Sequence, residues 1–184
     1  VHINVPLFEP LVPELDRKHF ECGRLPFSVV TGTIQPSDVH AIYDLLKNKK
    51  VLMLAGPSAN PDDIEAILAL SYMFNAPILG DSLSNMRSVH DERVITSYDA
   101  VLTQEAYRDV LQPDCILQIG QMVVSKRVQQ WVASMKDRAI ISVSPTMDYT
   151  NPAGNTTLFV QSTPQGLVEA LNTQIPELHS MEHN

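Results

Sequence analysis

The sequence predicts an α/β fold: one doubly wound, mainly parallel sheet of five or six strands with helices on both faces. Three observations predict it. Short apolar runs of strand length recur at residues 51–55, 76–79, 115–120 and 139–143, and such runs suit strands buried on both faces. The segments between them carry apolar residues at helical spacing. Three of the runs end at Gly56, Gly80 and Gly120, at the carboxyl ends of strands, where open α/β sheets bind their ligands.

Each element follows from local signals. Residues 1–5, Val-His-Ile-Asn-Val, read as a strand, and Pro6, Pro10 and Pro13 make the next stretch an extended connector. A short β-branched run at 27–31 is an edge strand. Gln35-Pro36-Ser37 opens a helix with Val39, Ile42, Tyr43, Leu45 and Leu46 on its apolar face, and Lys47-Asn48-Lys49-Lys50 closes it, where cations are favourable. After the 51–55 strand, Asn60 as N-cap and Pro61 at the first helical position start a helix that runs to about Phe74. A helix is expected over 97–111, a strand over 158–161, and a last helix from Ser162-Thr163-Pro164 through Leu171 to Ile175. The expected division is an opening strand and connector at 1–25, a single α/β domain at 26–176 and a tail at 177–184.

Composition narrows the function classes. A chain of 184 residues with 44% hydrophobic and 18% charged residues suits one domain with a sizeable core. A net charge of −8 without a basic patch argues against nucleic acid, and no apolar run approaches the ~20 residues of a membrane span. The start at Val1 without Met reads as part of a longer protein, and no signal peptide is recognisable. With only Cys22 and Cys115, a reducing, cytoplasmic setting without a disulfide is the expectation.

The segment after Gly120 holds the leading site candidate. Ser125 can cap a helix whose Val128, Trp131, Val132 and Met135 share one face. Lys126 and Arg127 then fall in the first turn, at the positive end of the helix dipole, where acids are preferred. Two cations beside free helix N–H groups make an anion site; the competing reading is two solvated side chains. Other constellations carry less. The Gly56 loop has no phosphate-loop glycine pattern, and Asp62 and Asp63 would repel a phosphate. His179 and His183 have metal-compatible spacing but no evident third ligand. No catalytic set and no metal or cofactor site is expected within the chain.

Four motifs occur in order: Val1-His-Ile-Asn-Val-Pro-Leu-Phe-Glu-Pro-Leu, Gly80-Asp-Ser-Leu-Ser-Asn-Met-Arg87, Ser97-Tyr98-Asp99 with Pro113-Asp114, and Ser125-Lys126-Arg127-x3-Trp131. Together they resemble the Rossmann-like central domain of the 2-succinyl-5-enolpyruvyl-6-hydroxy-3-cyclohexene-1-carboxylate synthases, thiamine-diphosphate-dependent transferases of menaquinone biosynthesis. The resemblance implies a complete homodimeric or homotetrameric enzyme that decarboxylates 2-oxoglutarate and adds the succinic-semialdehyde unit to isochorismate. Thiamine diphosphate and Mg²⁺ would be held by flanking pyrimidine- and diphosphate-binding domains, leaving this chain inactive alone. The resemblance further implies that Lys126 and Arg127 contact substrate carboxylates and that Arg87 contacts a naphthoate effector. Two departures stand out: Asn85 occupies an expected Gly position, and Gly80-Asp81-Ser82 replaces Ala-Asp-Pro. A nucleotide- or FAD-binding domain and a purely structural oligomerisation domain are the alternative readings.

Overall fold

The computed structural model describes residues 28–30, 34–57, 62–146 and 151–182, with side chains described between 34 and 175 within those spans. The elements run β1 (Ser28–Val30), α1 (Pro36–Leu46), β2 (Val51–Ala55), α2 (Asp63–Met73), β3 (Ile78–Gly80), a 3-10 turn (Met86–Ser88), β4 (Val94–Ile95), α3 (Tyr98–Val101), α4 (Glu105–Leu111), β5 (Cys115–Ile119), α5 (Lys126–Ser134), β6 (Ala139–Ser144), β7 (Leu158–Gln161) and α6 (Pro164–Glu182). The described strands form one seven-stranded sheet in the order β1-β7-β6-β5-β2-β3-β4, and every ladder is parallel. The α/β, doubly wound expectation is therefore borne out, with one strand more than the sequence showed.

Strand alternation explains why helices cover both faces. Val51, Met53 and Ala55 of β2, with Cys115, Leu117 and Ile119 of β5, point to a core layer shared with α1, α2 and α6. The intervening Leu52, Leu54 and Ile116 point the other way, to Tyr98, Leu102, Val128, Trp131 and Val132 beside α3 and α5. β2 is thus apolar at every position, and β5 at every position but Gln118, which is buried and donates from Nε2 to the Gly120 carbonyl at 3.0 Å.

Differences from the expected elements have local causes. β4 has only two residues, too few for a periodic signal, and rests on β3 through Ile78↔Val94 and Leu79↔Ile95. The single helix expected over 97–111 is two, broken where Leu102 turns into the core at 1% exposure. α2 starts at Asp63 with Asp62 at its N-cap, whereas the expected cap, Asn60-Pro61, lies outside the described residues, as do the 1–5 strand and the proline-rich connector. α6 continues to Glu182, past Ile175. The lysine run follows α1 rather than filling its last turn: Lys47 is the C-cap and pairs with Asp44 at 2.9 Å, while the Lys50 amide donates to Asp114 at 3.0 Å.

Asparagine does work here that glycine does elsewhere. Asn48 and Asn75 follow the C-caps of α1 and α2 with φ of 56° and 48°, the left-handed conformation that ends helices. After α2 the pattern closes with Ala76 N donating to Ser71 O at 2.9 Å and Asn75 N to Tyr72 O at 3.3 Å.

Where glycine is required is the meeting of the two central strands. Gly56 ends β2 with its N–H on the Ile119 carbonyl at 3.0 Å. A Cβ added there would lie 1.5 Å from the Gln121 carbonyl oxygen, and one added at Gly120, whose φ is +71°, would lie 2.8 Å from the Pro57 oxygen. Gly56→Ala therefore requires the two loops to separate. We expect a loss of about 3 kcal/mol or more in urea-denaturation stability; a change below about 1 kcal/mol would show that the loops part at little cost.

Candidate functional site

The strand order reverses between β2 and β5, so their carboxyl ends, with that of β3 beside them, form the edge where such a sheet presents ligand contacts. A buried carboxylate organises this edge. Asp81, directly after β3, is 1% exposed. Its N–H donates to the Ala55 carbonyl at 2.9 Å, fastening it to the end of β2. Its Oδ1 accepts from the Leu83 amide at 2.9 Å and the Ser82 hydroxyl at 3.4 Å. Its Oδ2 accepts from the Val124 amide at 2.8 Å and the Tyr98 hydroxyl at 3.2 Å. One side chain thereby joins the loops after β3 and β5 to the start of α3.

The start of α5 sits on that framework. Ser125 is the N-cap, its hydroxyl accepting from the Val128 amide at 3.3 Å and donating to Asp99. Val128, Trp131 and Val132 are buried and fix the helix to the sheet. Lys126 and Arg127 are exposed in the first turn. The expected electrostatic misplacement is partly offset: Arg127 Nη1 donates to the Asp99 carbonyl at 2.8 Å and lies 3.4 Å from its carboxylate. The two side chains are 43% and 62% exposed, so water screens the pair and its worth is within roughly 0.2–1 kcal/mol. Asp99 belongs to the first turn of α3, so an acid missing from α5 is supplied by its neighbour.

Arg87 is exposed on the 3-10 turn that leaves the Asp81 loop. That turn is built from Asp81 as well: the Asp81 carbonyl accepts from the Ser84 amide at 3.1 Å and its hydroxyl at 2.6 Å, and the Ser84 hydroxyl accepts from Met86 N at 3.3 Å. The two sequence departures fit here. Asn85 has φ 61°, a conformation natural to Gly or Asn. A Cβ on Gly80 would lie 2.8 Å from Met86 Cβ, so the glycine admits fully buried Met86 beneath the turn. Arg87 and Arg127 both bear on the Tyr98–Asp99 dipeptide: Arg127 through hydrogen bonding, Arg87 through a charge that partly counters the upward shift of the Tyr98 pKa.

Sequence reasoning selected Lys126, Arg127 and Arg87 as site residues and gave no role to Asp81, Tyr98 and Asp99, of which Asp99 holds Arg127 and Asp81 ties together the loops that carry the cations. A lone acid closing an apolar strand and opening a Ser-Leu-Ser-Asn turn was the available signal for Asp81. Other polar groups serve the frame. Tyr72 donates to Asp91 at 2.7 Å and carries Arg93 over its ring at 4.5 Å, tying α2 to β4. The buried Cys115 thiol is pushed up to about 12 by desolvation and stays protonated at neutral pH. Among the described residues no group of three His, Cys, Asp or Glu is placed to hold a metal, and no helix is long and apolar enough to cross a membrane. The side chains of His179 and His183 lie outside the described residues.

Residues 22–178 match the model of the middle domain of thiamine pyrophosphate enzymes. The chain belongs to that family. This middle domain is 43% identical over 162 residues to the 2-succinyl-5-enolpyruvyl-6-hydroxy-3-cyclohexene-1-carboxylate synthase of Lactococcus lactis subsp. lactis, covering 88% of the chain and 29% of that protein. It is 31% identical over 172 residues to the synthase of the same name from Desulfitobacterium hafniense, covering 92% of the chain and 31% of that protein. The Bacillus velezensis synthase matches at 39% over 140 residues, 72% of the chain and 24% of the relative. The middle domain thus spans under a third of the length of these relatives.

Among the described residues, those at the reversal point of the sheet do not fit a diphosphate group. The glycines that could cradle a diphosphate there are already in backbone contact, Gly56 with Gln121 and Gly120 with Pro57. The nearby acid, Asp81, is saturated by main-chain and hydroxyl donors.

Tyr98 offers a direct check of this edge. Burial, then the Asp81 charge, raises its pKa from 10.0 to about 12. A raised folded-state pKa contributes stability that is complete below pH 10 and is lost as pH climbs towards 12. Tyr98→Phe should flatten that part of the alkaline stability profile. If both proteins lose stability in parallel between pH 10 and 12, Tyr98 is not held as described.

Proposed function

We propose that this middle domain is part of a thiamine-pyrophosphate-dependent, cytoplasmic synthase of menaquinone biosynthesis that joins the succinic-semialdehyde unit of 2-oxoglutarate to isochorismate. In this reading the cofactor and Mg²⁺ are held by flanking domains of the same protein, assembled as a homodimer or homotetramer. This domain supplies basic contacts and inter-domain structure and is inactive alone. The observation that carries the reading is the first turn of α5: Lys126 and Arg127 stand exposed at the ligand-presenting edge, on a helix whose opposite side is buried. Both substrates are carboxylates, so two positioned cations have a chemical role. Asp99, itself bonded by Ser125, holds Arg127 before any ligand arrives, which limits the entropy lost on binding. In its planar guanidinium, Arg127 also offers a two-pronged match to a carboxylate that lysine lacks.

Steady-state kinetics of the full-length enzyme, varying 2-oxoglutarate and isochorismate separately, tests this. A charge-assisted hydrogen bond contributes about 1.5–3 kcal/mol, so Lys126→Ala and Arg127→Ala should each lower kcat/KM roughly 10- to 150-fold for one of the substrates. Arg127→Lys should not restore wild-type values. Unchanged kcat/KM for both substrates in both alanine variants would return the pair to a solvated surface. On the same reading, Arg87 on its exposed turn is the contact for an anionic naphthoate effector. Arg87→Ala should weaken inhibition by that product, and unaltered inhibition would remove Arg87 from the site.

A further inference from the structure

We propose that Asp81 is a positioning residue for the anion-binding edge: its carboxylate sets the start of α5, with Lys126 and Arg127, against the turn that carries Arg87. This rests on the reading of Lys126 and Arg127 as carboxylate contacts. At 1% exposure Asp81 is too deep to meet a ligand itself. A carboxylate at that depth is costly unless its oxygens are filled by donors, and closing the local turn needs only the Leu83 amide on Oδ1. The second oxygen is committed to two distant segments, Val124 N and the Tyr98 hydroxyl.

Both segments lead to the same cations. Val124 immediately precedes the Ser125 cap, so its N–H fixes the main chain one residue before α5 begins. Tyr98 immediately precedes Asp99, which accepts from Ser125 and Arg127. Arg127 is therefore placed from Asp81 by two routes, one along the main chain and one across α3. A third connection runs through the Asp81 carbonyl to Ser84 and Met86, the residue before Arg87. An asparagine would break the arrangement without changing its size. An amide offers one acceptor and one donor, so either Leu83 N or Val124 N would face a second donor.

The test uses the full-length enzyme with Asp81→Asn, Val124→Pro and the Lys126→Ala/Arg127→Ala pair, alone and combined. Val124 is 60% exposed, and Val124→Pro replaces the N–H that Asp81 holds with a ring carbon, so it breaks the link from the α5 side while residue 81 stays an aspartate. It keeps the proposal falsifiable if Asp81→Asn does not fold. A misplaced clamp should raise KM for the carboxylate substrate roughly 10- to 100-fold while kcat at saturation moves little. In the Lys126→Ala/Arg127→Ala background neither Asp81→Asn nor Val124→Pro should add to the loss, because residues acting through one another are not additive. Unchanged KM in both positioning variants, or losses that simply add, would overturn the proposal while leaving the clamp intact. If the Lys126→Ala/Arg127→Ala protein itself keeps its wild-type KM, the clamp reading fails first and this inference falls with it.

Discussion

The contact between the ends of β2 and β5 is the constraint on which the rest of this domain depends. Five paired positions, from Val51↔Cys115 to Ala55↔Ile119, run straight into a place where the Gly56 main chain touches the Gln121 carbonyl. In many doubly wound sheets the loops at this point diverge and a nucleotide lies between them. Here they converge. The polar groups of the edge lie on the turns after β3 and β5. Among the described residues, the reversal point of this middle domain is thus closed by main-chain contact between Gly56 and Gln121.

Electrostatics on this edge are arranged by neighbours rather than within elements. The chain carries a net charge of −8, yet α5 opens on two cations and has no acid in its first turn. Asp99, on the adjacent short helix, restores the balance while staying weakly engaged, since both partners of the pair are substantially solvated. A weak, screened partner can hold a guanidinium in orientation and still yield it to a better anion.

Most of the fold was legible because the central strands are buried on both faces and their apolar runs have no other explanation. The boundaries of β2, β5 and β7 follow from those runs and from the glycine or serine that ends them. β4 was hidden because two residues carry no period, and the break between α3 and α4 was hidden because Leu102 keeps the helical spacing of its neighbours while turning inward. Of the edge, the cations were visible as local anomalies: a Lys-Arg pair at a helix start violates a preference that can be read along the chain. Their supports were not. Asp81 and Asp99 matter through partners 43 and 26 residues away, Val124 and Ser125, and no spacing rule reaches that far.

The outermost ladder joins Ser28 to Leu158, so the first described strand is held by the last. Parallel pairings between distant segments form slowly, because a long loop must close before any contact rewards it. For a chain emerging from the ribosome this has a directional consequence. The β2–β3–β4 half can assemble early, and β5 and β6 can add to it in turn. β1, made before all of them, must wait with an unpaired edge until β7 is released, since β7 is the strand it pairs with. Its brevity, three residues, limits what that edge can attract in the meantime.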